Sequence, residues 1–340
     1  MQKKRMNSDD QPLEEEEKIE AAAEEEAPSS PEPETETESE PEKEIIINRN
    51  FDTLVLSGGG VKGLFLLGAL QYCYDNFLLS DIENFVGTSA GAMISFLMAI
   101  GYTPVDIITS ICCNQVMEKM QHFDIFAMIN NLGAASFTNI SLHLERMTID
   151  KIGYLPTFSD IKHKFNKNLV FITYNLTKSE IEYLSYETRP ELPCLVALRM
   201  SSNLPLVFEN FKYDNYLYTD GGIANNFGID FAEKIGTRIL GIYIHLGKKT
   251  ISNTDNILEY IFKLFYIPLQ EQQKNKLEKV DTKKSRIIKL SETKHKSRTI
   301  FDFSMSTADK LELFSNGYRL CKSEFEDNNN ITTTSPPPPP

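Results

Sequence analysis

The chain has 340 residues, 41% of them hydrophobic, and a net charge of −13. That length can bury one sizeable core, and positions 1–44, with 17 acidic and 5 basic residues, carry −12 of the charge. The remaining body is close to neutral and offers no general basic field, which excludes nucleic acid as an expected partner.

Residues 1–50 form a Glu/Pro/Ala/Thr tract with almost no large apolar side chain before Ile45-Ile46-Ile47. Such a segment cannot offset its ordering entropy by burial and is predicted to be a disordered, solubilising tail. Lys3-Lys4-Arg5 is followed by acidic residues rather than an apolar run, so no secretory signal is read here. Cys73, Cys112, Cys113, Cys194 and Cys321 are odd in number and lack metal-ligand spacing. They fit a reduced, intracellular and cytoplasmic setting, in which the sequons at Asn139, Asn175 and Asn330 stay idle.

Folding is predicted to begin near Phe51. A buried-type strand over 53–56 runs into Ser57-Gly58-Gly59-Gly60-Val61-Lys62-Gly63, and residues 64–77 show apolar spacing of helical period. Consecutive glycines at a helix start present bare backbone N–H groups, a concavity suited to an anion or oxyanion. The same letters, Gly58-x-Gly60-x-x-Gly63, match a dinucleotide fingerprint, with Asp81 or Glu83 about 20 residues on as the ribose ligand.

A second short strand, Phe85-Val86, leads into Gly87-Thr88-Ser89-Ala90-Gly91 and an apolar helix over 90–100. G-x-S-x-G between strand and helix is the pattern of a nucleophile elbow: small residues allow a turn tight enough to hold Ser89 at its apex, facing the N–H groups of the following helix. Residues 84–105 contain no charge, a run about as long as a membrane span. Gly87, Gly91 and Gly101-Tyr102-Thr103-Pro104 interrupt it, and a buried helix of an α/β protein is the preferred reading.

Thr103-Pro104 restarts a helix. The chain to Tyr154 reads as helical, with a turn at 131–135 and Ser141 capping another helix. A short helix opens at Phe158, strands over 168–174 and 181–186 pair through a polar turn, and Pro193 starts a helix that ends at Ser201-Ser202-Asn203-Leu204-Pro205. A strand over 215–219 then delivers Asp220-Gly221-Gly222, either an ordinary turn or a carboxylate facing back across a sheet. A buried strand over 238–245, an amphipathic helix over 255–276, a strand over 287–290 and a closing helix over 304–325, capped by Ser306-x-x-Asp309, complete the body. The basic stretch 274–298 is a candidate contact for an anionic membrane, against a plain solvated surface. Residues 331–340 end in five prolines and read as an inert extended tail.

Gly58-Gly59-Gly60-Val61-Lys62-Gly63, Gly87-Thr88-Ser89-Ala90-Gly91 and Asp220-Gly221-Gly222, in that order, resemble the three motifs of the patatin-like phospholipase family. Residues 197–208 resemble the segment preceding the family's aspartate. The family often has Asn-x-Pro after D-G-G, where Asn225-Asn226-Phe227 stands here, a local loop variation. The resemblance implies a three-layer α/β/α hydrolase with a mainly parallel sheet. It implies a catalytic domain over 51–235, a C-terminal part over 236–326 completing the fold, and a tail over 327–340. It further implies a lipid acyl hydrolase acting on phospholipid or neutral-lipid esters through a Ser89/Asp220 dyad, with peripheral membrane association.

Ser89 would attack the ester carbonyl while Asp220 takes its proton. Backbone N–H groups of Gly59 and Gly60, with Gly58 as a third, would hold the oxyanion, at about 3 to 4 kcal/mol per donor. Lys62 either adds positive potential or faces solvent. An aspartate near its reference pKa of about 3.9 is a poor base, so Asp220 is expected to be desolvated or hydrogen-bonded into greater basicity. No metal or cofactor is called for by these residues.

Three other readings stay open. Ser89, Asp220 and His245 follow the order of a full Ser, acid, His triad, while His122, His143, His163 and His295 read as surface or packing residues. A nucleotide-binding protein would use Gly58 to Gly63. A catalytically silent lipid-binding protein would keep the motifs without turnover. The aromatic clusters Phe123-Asp124-Ile125-Phe126 and Tyr260-Ile261-Phe262 are candidates for an acyl channel or for plain core.

Overall fold

The computed structural model describes residues 50–114, 133–245, 257–291 and 305–330. Residues 1–49 of the predicted acidic tail and 331–340 of the predicted proline-rich tail lie outside them.

Runs of apolar residues too short for helices become the central strands. β1 (Thr53–Leu56), β2 (Asn84–Thr88), β4 (Asn168–Asn175), β9 (Ile239–His245) and β10 (Ser285–Ser291) lie parallel in the order β10-β9-β1-β2-β4. Parallel neighbours require a crossover. Helix α1 (Gly63–Asp75) supplies it between β1 and β2; α2 (Ala90–Ala99), α3 (Pro104–Asn114), α4 (Thr138–Ile152) and α5 (Phe158–Phe165) lie between β2 and β4. Further along come β5 (Glu180–Ser185), α6 (Cys194–Ser201), β6 (Leu206–Phe208), β7 (Phe211–Tyr213), β8 (Tyr216–Asp220) and α7 (Ile229–Ile235). Helices α8 (Ile257–Leu277) and α9 (Thr307–Asn330) flank β10 in the chain.

Side chains alternate across each strand, and both faces are buried. Leu54, Leu56, Phe85, Leu169, Phe171 and Ile242 pack into a core with residues of α1 to α6 and α9. Val55, Val86, Val170, Ile172 and Ile239 face α7 and the C-terminal end of α8. The result is a three-layer α/β/α architecture with one helical layer much larger than the other.

The placement of the site follows from how β4 is shared. Its residues 170–175 pair antiparallel with β5 along one edge. On the other edge, β2 runs parallel up to Thr88 opposite Ile172, and β8 runs antiparallel down to Asp220 opposite Thr173. Two strands approaching from opposite directions therefore finish on neighbouring residues of one edge, which brings the residues after β2 and at the end of β8 together.

Some local expectations change. Gly133–Ala135, read as part of a turn, is a short strand, β3, paired with β6. Helix α4 begins at Thr138, so Ser141 lies inside it rather than capping it. The hairpin of β7 and β8, with Asp214 and Asn215 both at positive φ, has no counterpart in the sequence reading. The closing helix runs on to Asn330, beyond the expected start of the tail at 327. The charge-free run 84–105 is divided between β2 and α2. Among the described residues no single helix is long and apolar enough to cross a membrane, and α2 and α3, which pass that test only together, are bent by 117°.

Helix α9 closes the larger layer by crossing α1 at backbone contact. A Cβ on Gly68 would collide with the Phe314 carbonyl, and one on Gly317 with that of Phe65. Beside the crossing, the buried thiols of Cys73 and Cys321 stand 3.7 Å apart.

Candidate active site

Ser89 occupies the turn between β2 and α2 with φ 54° and ψ −121°, a backbone that side-chain-bearing residues rarely adopt. The neighbouring glycines make this possible by close approach. A Cβ on Gly91 would sit 2.5 Å from the Leu56 carbonyl oxygen, and one on Gly87 2.6 Å from the Ala92 backbone. The Ser89 N–H donates to Ser201 Oγ at 3.0 Å, and Ser201 Oγ donates to the Ile172 carbonyl at 2.7 Å. One hydroxyl thus ties the strained turn to β4.

Asp220 is 2% exposed. Its Oδ1 accepts the Gly222 N–H at 2.6 Å, and the Ser89 side chain stands close enough to its carboxylate to act on its pKa. Burial raises its pKa from 3.8 to about 6, against Ser89 and the Gly222 N–H, which pull it down. Gly221 lets the chain press on β4, where a Cβ would meet the Ile172 carbonyl, and Gly222 has no room for one between Asn226 Oδ1 and Asp220 Oδ1.

The strand end carrying Asp220 is held by Asn203. The Asn203 carbonyl accepts the Asp220 N–H at 2.9 Å and the Thr219 hydroxyl at 3.1 Å, while its Nδ2 donates to the Tyr218 carbonyl at 3.0 Å. Arg199, 7% exposed, donates to Asn203 Oδ1 at 2.7 Å, pairs with Glu209 at 3.2 Å and lies 4.4 Å over the Phe137 ring. Burial lowers the Arg199 pKa to about 10, partly offset by Glu209, so the guanidinium keeps its charge at neutral pH.

The glycine loop lies against the same serine: a Cβ on Gly58 would stand 3.2 Å from Ser89 Cβ. Asn226 clamps this loop, its carbonyl accepting the Gly58 N–H at 3.2 Å and its Nδ2 donating to the Gly58 carbonyl at 3.4 Å. The expected third oxyanion donor is therefore already committed. Gly60, at φ 55°, opens the helical turn Gly60–Lys62, and neither its N–H nor that of Gly59 has an acceptor among the described residues. Lys62 is buried, which removes the solvent-facing alternative, and Gly63 packs its backbone against Ala90.

Behind Ser89 an apolar cavity of about 160 Å³ runs between α1, α2, α3 and α4, walled by residues such as Leu64, Leu67, Met93, Leu97, Ile107 and Leu144. Gly60, Ser89 and Ser202 lie along its lining. His143, expected at the surface or in packing, also lines it, with Nε2 3.5 Å from Ser110 Oγ. Of the aromatic clusters expected to line such a channel, residues 123–126 and the side chains at 260–262 lie outside the described set.

His245 ends β9 half-buried, and no hydrogen bond joins it to Ser89 or Asp220. Asp81 and Glu83 are exposed and precede β2, at the opposite end of the sheet from the glycine loop, so neither can serve as a ribose ligand for that loop. The motifs do not mark Ser201, Ser202, Asn203 or Asn226 as site residues: the first three stand in a small polar run between an apolar helix and an apolar strand, within the segment 197–208, and Asn226 stands in the loop after D-G-G.

A serine on a strained strand–helix turn thus stands beside a buried carboxylate and a glycine loop in an α/β fold. The family model for patatin-like phospholipase matches residues 54–233, and the chain belongs to that family. It is 37% identical over 187 residues to the probable lipid hydrolase 463L of Invertebrate iridescent virus 6, covering 54% of this chain and 64% of that protein. It is 26% identical to the uncharacterized protein R571 of Acanthamoeba polyphaga mimivirus, over 80% of this chain and 92% of the relative. Similar solved structures include VipD from Legionella pneumophila, with 16% identity, a TM-score of 0.47 and coverage of 82% of this chain and 67% of that one. Human GIVD cytosolic phospholipase A2 matches with 11% identity, a TM-score of 0.49 and coverage of 83% and 60%.

Proposed function

We propose that this protein is a lipid acyl hydrolase that cleaves carboxylic esters through an acyl-enzyme on Ser89, with Asp220 as the base. The observation that carries the reading is Ser89 on its strained turn beside a buried carboxylate whose pKa is raised to about 6, at the polar end of a hydrocarbon-lined cavity. Family membership and the similarity to the probable lipid hydrolase 463L point the same way.

In this reading the acyl chain lies in the cavity and the ester carbonyl rests beside Ser89. Ser89 Oγ adds to the carbonyl carbon as its proton passes to Asp220, and that proton then leaves with the alcohol. Water hydrolyses the acyl-enzyme by the same route in reverse. The oxyanion is held by the Gly59 and Gly60 N–H groups and by the N-terminal end of α2, with Lys62 adding positive potential. An aspartate suffices as base because burial has already raised its basicity toward neutrality. A substrate with so apolar an acyl end comes from a lipid surface, and peripheral membrane contact belongs to this reading. Within the basic stretch, however, Lys276 is turned to Asp230 and Lys284 to the Glu233 carbonyl.

A long-chain alkyl fluorophosphonate tests the nucleophile. The full chain should gain one adduct on the peptide containing Ser89, and Ser89→Ala should gain none. A single adduct on another serine, or labelling unchanged in Ser89→Ala, would remove Ser89 from the role.

A further inference from the structure

Burying a hydroxyl without a partner costs free energy, and folded proteins rarely leave one so. Among the described residues, several buried side-chain polar atoms lack a partner; of these, Ser202 Oγ alone belongs to a residue lining the cavity behind Ser89. Ser202 is 3% exposed, its own N–H is spent on the Leu198 carbonyl, and its carbonyl accepts the Leu204 N–H. Its backbone is therefore satisfied as the end of a helix and only the hydroxyl is idle. Apart from Ser89, His143 and glycine backbone, the rest of that lining is hydrocarbon. The preceding residue, Ser201, holds the Ser89 N–H, so Ser202 borders the spot where a substrate carbonyl must rest.

The oxyanion requirement gives this hydroxyl a use. Gly58, the expected third donor, has its N–H committed to Asn226. The backbone therefore offers two donors from the glycine loop beside the N-terminal end of α2, and among the described cavity-lining residues Ser202 carries the one buried side-chain hydroxyl left without a partner.

We propose that Ser202 is a substrate-contacting catalytic residue whose hydroxyl donates to the ester carbonyl oxygen as it becomes an oxyanion, replacing the Gly58 N–H. The inference rests on the acyl-hydrolase reading of Ser89. In the empty site the hydroxyl is unpaired; as the oxyanion forms, it gains a charge-assisted hydrogen bond. The interaction is strongest in the transition state, so it acts on kcat rather than on substrate binding.

The test uses the full chain, a long-chain p-nitrophenyl ester and a long-chain alkyl trifluoromethyl ketone, which adds Ser89 Oγ at its carbonyl carbon to give a hemiketal oxyanion. Ser202→Ala should lower kcat by on the order of a hundredfold with little change in KM, the size expected for one oxyanion donor. Affinity for the ketone should fall by a similar factor, whereas affinity for the matching fatty alcohol should hold. Ser202→Thr, which keeps a hydroxyl, should recover most of the loss, and thermal midpoints of the variants report whether each is folded. Unchanged kcat in folded Ser202→Ala overturns the proposal. So does a loss confined to deacylation, with the p-nitrophenol burst intact, since the hydroxyl would then be serving the hydrolytic water. Equal losses of ester, ketone and alcohol binding would make the residue structural. Wild type no faster than Ser89→Ala would instead sink the reading of Ser89 beneath it.

Discussion

The Asp220 carboxyl gives the account its clearest pH dependence. As the proposed base it must be ionised, so kcat/KM, which reports the free enzyme, is expected to rise with pH and level off above about 6. A profile flat from pH 4 to 8 would contradict the role. The same shift has a stability side. Because the folded pKa lies above the unfolded value of 3.8, the folded state binds the proton more tightly. The stability this contributes is fully present below about pH 4 and is lost as pH rises through about 6. Asp220→Asn, which never ionises, should therefore be more stable than wild type at pH 8, on the order of 3 kcal/mol at about 1.36 kcal/mol per unit. The gain should vanish near pH 4, as read by denaturant unfolding at both pH values. At this scale the sequence was legible where backbone geometry dictates residue type: Gly87 and Gly91 announce the turn because any side chain there would strike Ala92 or Leu56. It was not legible for Ser201 or Asn226, whose roles are contacts made to residues 112 and 168 positions away in the chain. Nor could it show that the Gly58 N–H is already spent.

Among the elements, the buried strands and the helices after them could be read because each is a short apolar run or an apolar period bounded by glycine, proline or a cap. The Thr103 and Ser306 caps are both present, each paired with an aspartate three residues on. The three-residue strands β3, β6 and β7 carry too few side chains for a period to register, and their pairing decides their state. The contact of α9 with α1 was equally hidden, since Gly68 and Gly317 are single glycines inside helical patterns. Yet α1 begins at the glycine loop and lines the cavity, so α9 supports the site from behind. Gly317→Ala should force the two helices apart and cost about 1 to 3 kcal/mol, lowering the thermal midpoint. An unchanged midpoint would mean that the crossing has slack.

For the whole molecule, the decisive feature is the shared edge of β4, on which β2 and β8 finish opposite Ile172 and Thr173. That arrangement brings together Ser89 and Asp220, 131 positions apart in the chain, and the motifs alone do not contain it. It also separates the readings left open by the sequence. Asp81 and Glu83 fall at the far end of the sheet from the glycine loop, and Asp220 finds Ser89 rather than His245. The measurement that tests the account most directly is fatty-acid release by the full chain from vesicles containing phospholipid and neutral lipid, beside Ser89→Ala, Asp220→Asn and His245→Ala. The account predicts release by wild type and by His245→Ala, and a loss of at least about a thousandfold in the other two. Release that survives in folded Ser89→Ala, or that disappears in folded His245→Ala, would contradict it.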